Sequence, residues 1–371
     1  MMRELVIDLD AIEANLNVYR KRAPGAKIMA VVKADAYGHG MFEVALKLDR
    51  AKVDYFGVAD VDEALHLREG GLETPILAWL HDPNDRFTEA LAANIELSVA
   101  NLDHLERVAD AARLTGKVAR VHLKVDTGLS RNGSTIEEWP ALVTAVVALC
   151  DEQLLECVGV FSHLSSTSEV DDRAQIVRFD EAVDTAKSLG LDFELRHLTA
   201  SDGTLSYPDA NYEMVRIGVG LYGLSPFVDR TSAEFGLRPA MTARALVTQT
   251  KRVKADVGIS YGYMVRTKAE TTLALVPIGY AEGLPRNASG KAEVSIKGKR
   301  YKIESRIAMD QFVIDVGDDD VSAGDEVVLF GDSSLGVPSA DELAVAADTI
   351  NYEIVTRMGG RFRYTFIGAA E

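Results

Sequence analysis

Lys33 stands at the end of the apolar run Ile28-Met29-Ala30-Val31-Val32 and opens a small-residue loop, Ala34-Asp35-Ala36-Tyr37-Gly38-His39-Gly40. Apolar surroundings disfavour an ammonium, so a lysine there can keep a free amine able to attack a carbonyl carbon and form a Schiff base. Taken alone, a strand-end lysine is more often one half of an ion pair. A second charged residue in an apolar run is Arg216, within Met214-Val215-Arg216-Ile217-Gly218-Val219-Gly220. A buried guanidinium needs a partner, whether a carboxylate or a ring nitrogen acceptor. Ser201 and the glycine-flanked pair Gly218-Val219 offer a hydroxyl and backbone N–H groups, the donors that cradle a phosphate; a helix cap and turn would use the same residues. Farther on, Gly258-Ile259-Ser260-Tyr261-Gly262 presents one tyrosine on a small-residue turn.

The elements that must position these residues fall into two grammars. Up to about residue 234, short β-branched runs alternate with helical patterns, as parallel strands joined by crossover helices do. Eight runs are expected as strands, 27–33, 55–59, 75–79, 95–99, 119–126, 158–163, 193–198 and 214–220. Eight repeats point to a closed (β/α)₈ barrel of the TIM type, whose chemistry lies at the carboxyl ends of its strands, with a doubly wound open sheet as the alternative. On the barrel, Ser201 follows strand seven and Gly218-Val219 ends strand eight. After Leu237-Arg238-Pro239-Ala240 the pattern becomes alternating, with strands expected over 243–254, 272–277, 292–296 and 326–330, a hairpin turn at 297–300, and one helix over 339–351 capped by Ser339. The expected domains are therefore a cofactor-binding barrel over 1–236 and a C-terminal mostly-β domain over 237–371, with the first few residues free to pair with the latter.

The chain has 371 residues, 47% hydrophobic and 26% charged, as ordinary globular proteins do. A formal net charge of −17 opposes approach to nucleic acid or an anionic membrane, yet leaves room for a small anion held by local arginines. No apolar stretch is long enough for a spanning helix, and the acidic N-terminus lacks the core of a signal peptide, so a cytoplasmic protein is expected. Two cysteines, Cys150 and Cys157, show no zinc-ligand spacing, and no metal is expected.

The string Ala30-Val31-Val32-Lys33-Ala34-Asp35-Ala36-Tyr37-Gly38-His39-Gly40 resembles the pyridoxal-phosphate attachment segment of alanine racemases, and the resemblance extends over nearly the whole chain. It implies pyridoxal 5'-phosphate as cofactor, bound through Lys33, Tyr37, His163, Ser201, Arg216, Gly218 and Val219. Arg216 takes the place of the arginine that faces the pyridine nitrogen; His197, in Arg196-His197-Leu198, either orients it or is a plain core histidine. Asp126-Thr127-Gly128-Leu129-Ser130-Arg131 is similar to the string whose arginine lies near the substrate carboxylate, and Lys124 matches a lysine that is often carbamylated. His163 matches the residue packed on the cofactor ring. In the second domain the tyrosine segment, Pro277-Ile278-Gly279-Tyr280-Ala281-Glu282-Gly283 and Ala308-Met309-Asp310-Gln311 continue the likeness. It places Met309 at the substrate and gives Asp310 a supporting role.

The implied activity is racemisation of L- and D-alanine for peptidoglycan in a homodimer with interfacial sites. Inverting a stereocentre takes one group on each face, and the resemblance assigns Lys33 and the partner copy's Tyr261. Two rivals fit less well. Basic amino-acid decarboxylases pair the ring nitrogen with an acid where this chain has Arg216, and pyridoxal-phosphate carriers leave residues 240–371 without a counterpart. Three positions depart from the family pattern: Gly360, where some relatives carry a phosphate-reaching tyrosine; Ala308, for a common cysteine; and Asp202, where a small residue is usual.

Overall fold

The computed structural model describes residues 2–368. Contacts divide them into two compact units: Leu16–Ala34 with Val44–Leu221, and residues up to Asn15, Asp35–Glu43 and from Tyr222 onward.

A strand β1, Arg3–Asp8, precedes the first unit. That unit carries eight parallel strands: β2 (Lys27–Val31), β3 (Tyr55–Val58), β4 (Ile76–Ala78), β5 (Glu96–Val99), β6 (Ala119–Lys124), β7 (Leu155–Phe161), β8 (Leu195–His197) and β9 (Met214–Ile217). Each pairs with its sequence neighbour from β2 to β8, and β9 returns to pair with β2, so the expected barrel is closed except for a ladder between β8 and β9. These strands are short, β-branched and buried on both faces, as strands wrapped by helices must be. Met29, Tyr55, Leu77, Val158, Leu195 and Met214 form a core cluster, with Trp79 packed against it. The helices run antiparallel to the strands and carry their own stops. Helix 61–69 has Asp60 as its cap, and helix 102–115 begins at Asn101 and ends on left-handed Gly116.

The second unit is mostly β. Its six-stranded sheet includes β1, which pairs antiparallel with β10 (Met241–Leu246) and parallel with the last strand, Arg363–Ile367. The single strand expected over 243–254 is two. After Leu246 the chain leaves the six-stranded sheet and re-enters, as β11 (Gln249–Val253), a three-stranded sheet with Thr271–Val276 and Phe312–Gly317. Val247 N–H bonds to Asp325 and Thr248 N–H to Leu275, so the crossing keeps its backbone satisfied. The hairpin turn is Lys297-Gly298, both at positive φ. The helix expected over 339–351 is likewise two, 340–347 and 351–357. Asp348 adopts φ 56° and ends the first helix, while Ser339 does cap its start by accepting from Glu342 N–H. Among the described residues no helix is long and apolar enough to cross a membrane.

Candidate active site

The barrel brings Lys33, Lys124, Arg131, His163, His197, Ser201, Arg216, Gly218 and Val219 to the carboxyl ends of its strands or the loops that follow. Lys33 directly follows β2 and Val32. Its Nζ lies 5.8 Å from the centre of the Trp79 ring, and its amine is held below the ordinary lysine value by burial, then by the charges of Arg131 and Arg216, against the opposing pull of Glu63. Lys124, the last residue of β6, is buried against the Phe161 ring and lowered to about 8 by burial and by Arg216, Arg131 and Lys33. His163 is held well below its usual value by burial and the same cations. Among the described residues, Lys33, Lys124, Arg131 and Arg216 make no ion pair with a carboxylate. Glu63, Asp126 and Asp202 offset these cations only at a distance, without an ion pair, and cations held so in a partly buried mouth cost free energy that an anion recovers on binding.

Arg216 is 5% exposed. One terminal nitrogen, Nη1, donates to His197 O at 2.6 Å and faces His197 Nδ1 at 3.1 Å. The other, Nη2, donates to Ser162 O at 2.7 Å and Leu198 O at 2.9 Å and faces His163 Nδ1 at 3.2 Å. The partner it needs is therefore mainly a set of carbonyl oxygens and imidazoles, which leaves its charge unneutralised; burial lowers it to about 9. These bonds engage both terminal nitrogens and fix the plane of the guanidinium, leaving Nε as its remaining donor.

Ser201 Oγ accepts from Gly218 N–H at 3.1 Å and Gly220 N–H at 3.3 Å, tying the loop after β8 to that after β9. A Cβ at Gly220 would lie 2.1 Å from Tyr19 Oη, so any side chain there would have to displace the buried Tyr19 ring. Asp202, the negative charge out of place beside this loop, accepts a hydrogen bond from Ser166 and does not cap the helix that follows, whose cap position is Ala200.

The remaining residues lie in the other unit. Tyr37 belongs to a turn missed from the sequence. Ala34, Asp35, Ala36, Tyr37 and Gly38 all have positive φ, between 52° and 77°, a left-handed coil directly behind the lysine. The Tyr37 ring packs 4.9 Å from Tyr222 and 6.2 Å from Tyr352. Tyr261 sits between the two strands of a short ribbon, Gly258–Ile259 and Val265–Arg266, and is 71% exposed. With Lys251, Tyr263, Ala308 and Gln311 it lines a cavity of about 520 Å³. Met309 is exposed, and Asp310 pairs with Arg361 at 2.8 Å; Arg361 also binds the fully buried Glu282. Gly360 is at φ +62°, and a Cβ there would come within 2.4 Å of Ala281 O, so this backbone excludes a tyrosine at that position.

Comparison with known proteins resolves what this arrangement belongs to. Residues 7–226 match the model of the alanine racemase N-terminal domain, and residues 240–366 that of the C-terminal domain. The chain belongs to the alanine racemase family. Alanine racemases of Frankia casuarinae and Thermobifida fusca are 48% and 44% identical to it, over 96% and 99% of this chain and 94% and 98% of theirs. The crystal structure of alanine racemase from D-cycloserine producing Streptomyces lavendulae superposes with a TM-score of 0.98 at 44% identity, covering 100% of this chain and 98% of that one. Alanine racemase from Acinetobacter baumannii keeps a TM-score of 0.87 at 28% identity, covering 99% and 100%. As a family member the chain is an amino-acid racemase, an isomerase.

Two residues near Arg216 were not singled out from sequence, Glu96 on β5 and His122 on β6. The available signal was a titratable side chain at a strand position, weaker than at Arg216 because β6 also holds Arg120 and Lys124 and β5 opens on Glu96 itself.

Proposed function

We propose that the chain racemises alanine with pyridoxal 5'-phosphate, Lys33 serving one face of the substrate and Tyr261 of a second copy the other. The observation that carries this reading is the group of Lys33, Lys124, Arg131 and Arg216, gathered at the barrel mouth with no carboxylate ion pair. A ligand bearing a phosphate and a carboxylate answers that charge, and the donor set fits the cofactor. Lys33 would hold its aldehyde carbon, Arg216 would donate to its ring nitrogen, His163 would lie against the ring, and Ser201, Gly218 and Val219 would receive its phosphate. Bound pyridoxal phosphate supplies an electron sink conjugated to the substrate α-carbon.

The chain supplies the proton transfers. Burial and cationic neighbours raise the neutral fraction of Lys33, so its Nζ can accept the α-proton or return one. Arg131, exposed at the barrel mouth, fits the substrate carboxylate with its planar fork. Arg216 donates but hardly gives up its proton, which leaves the ring nitrogen uncharged, weakens electron withdrawal and favours quick return of the proton to carbon. A neutral amine at Lys124, favoured by its value of about 8, is the form that adds carbon dioxide to give a carbamate anion and a released proton. Such an anion would hold Arg131 and temper the cationic cluster.

A dimer is supported by the exposed side chains of Tyr261, Tyr263, Met264, Tyr280 and Met309, apolar surface that a self-associating face would cover. The same reading places the enzyme in the cytoplasm, supplying D-alanine for peptidoglycan. The test mixes inactive Lys33→Ala and Tyr261→Phe chains and follows deuterium incorporation into L-alanine with chiral analysis. Mixed dimers restore one site of each two and regain activity; no recovery in proven mixed dimers rejects the shared site. Hydride reduction of the yellow holoenzyme should attach the cofactor to Lys33, and attachment to another lysine rejects the assignment.

A further inference from the structure

Behind Arg216 a line of buried hydrogen bonds runs across the barrel interior from β9 to β5. His197 Nδ1 is 3.1 Å from Arg216 Nη1, His197 Nε2 is 2.9 Å from His122 Nδ1, and His122 Nε2 is 2.8 Å from Glu96 Oε2. Glu96 also accepts from Arg120 Nε at 2.9 Å. Both histidines are fully buried and Glu96 is 3% exposed. Phe161 stacks on His197 at 4.8 Å, and Tyr55 meets His122 edge-on at 6.2 Å, so neither ring can turn over freely.

The two ends of this line dictate every proton in it. A guanidinium only donates, so His197 Nδ1 must carry its lone pair. Burial, and then the Arg216 guanidinium, hold His197 neutral, so its hydrogen lies on Nε2 and points at His122 Nδ1. At the far end His122 and Arg120 outweigh burial and keep Glu96 ionised, so it only accepts, and the hydrogen of His122 lies on Nε2. Derived from either end, the tautomers agree: each donor faces an acceptor from Arg216 to Glu96. A second proton on His122 would turn Nδ1–H toward His197, force the His197 hydrogen onto Nδ1 and set it against the guanidinium.

We propose that Glu96 and His122 are positioning residues that lock His197 in its Nε2–H form and so hold Arg216 in the plane and donor state it presents to the cofactor. The proposal rests on the reading that Arg216 faces the ring nitrogen. Neither residue touches a reacting group; both act through His197. The barrel devotes a buried carboxylate and an imidazole to a residue that carbonyl oxygens already anchor. Their addition fixes proton location, which carbonyls alone cannot do.

The test separates the line of bonds from the cofactor reading. In the full-length protein without added cofactor, ¹⁵N resonances of the histidine side chains should show His122 and His197 both protonated at Nε2 only; any other state in the wild type overturns the proposal without needing a variant. Glu96→Gln and His122→Phe should then release His197 to a mixture of tautomers. In the holoenzyme they should lower kcat about tenfold, short of the hundredfold that a misplacement of roughly 1 Å can cost, with KM little changed. They should also shift the ¹⁵N resonance of labelled cofactor at its ring nitrogen. Folded variants with the wild-type His197 tautomer and unchanged kcat overturn the proposal. Arg216→Lys probes the underlying reading: a labelled ring nitrogen indifferent to it rejects the placement of Arg216, whatever the histidine tautomers show.

Discussion

The barrel mouth and the Tyr261 ribbon treat their reactive side chains in opposite ways. Burial first, and then neighbouring cations, push the amines of Lys33 and Lys124 toward neutrality, against the opposing pull of Glu63 and Asp126. Tyr261 is 71% exposed on a two-stranded ribbon, amid tyrosine and methionine side chains open to solvent. One unit carries the environment that tunes its lysines, whereas the other displays a solvent-open tyrosine. On the proposed function, the first is reactivity built by burial within a chain and the second is reactivity completed by association.

The sharpest way to break that comparison is Lys33→Ala, which should lower racemisation on the order of 10³- to 10⁴-fold in deuterium exchange with chiral analysis. A smaller loss would mean that the tuned amine is not the base. Tyr261→Phe should cost about 10²- to 10³-fold while the visible absorption of the bound cofactor stays unchanged; near-normal turnover would leave the ribbon without a catalytic part. Gly220→Ala drives a methyl into Tyr19 and should destabilise the barrel by about 1–3 kcal/mol in denaturant titration. An equal stability would show that the loop after β9 yields where the structure has it fixed.

The smallest effect concerns Lys124. Its folded value near 8, against 10.5 for a free lysine, means that the unfolded chain binds more protons between those limits. In buffer free of carbon dioxide, stability should therefore carry a rising contribution as pH climbs through that window, and Lys124→Met should flatten it. Added bicarbonate should raise the melting temperature of the unsubstituted chain by about 2 °C, the shift expected of roughly 1 kcal/mol, and leave Lys124→Met unmoved. A bicarbonate effect that survives the substitution would exclude carbamylation there as its source.

What could be read in advance follows from how locally each feature is determined. All eight barrel strands were visible because β-branched runs between helical patterns need no distant partner to be recognised. Arg216 stood out as a lone charge in such a run. Glu96 and His122 are titratable too, but Glu96 opens its strand two residues after polar Asn94, and His122 lies between Arg120 and Lys124, so each blends into neighbouring polarity. Their role exists only because β5, β6, β8 and β9 bring four residues into line, and that alignment belongs to tertiary structure. The division of 243–254 into two strands and of 339–351 into two helices was hidden for a related reason. Val247 and Asp348 are ordinary residues, and only the sheets and caps around them decide that the chain must turn there.

The coil from Ala34 to Gly38 runs with the screw sense that L residues avoid, at about 1 kcal/mol or more for each non-glycine member. Four such members in succession make a spring wound backwards, held by Asp35 bonding Gly40 and Met41 and by Glu63 bonding Ala34. Built with mirror-image alanines at 34 and 36, the same stretch would be relieved at two of those four members, leaving Asp35 and Tyr37 strained. In the natural protein it stores tension next to the amine, so amide exchange at residues 34–40 should outpace that of the strand before them.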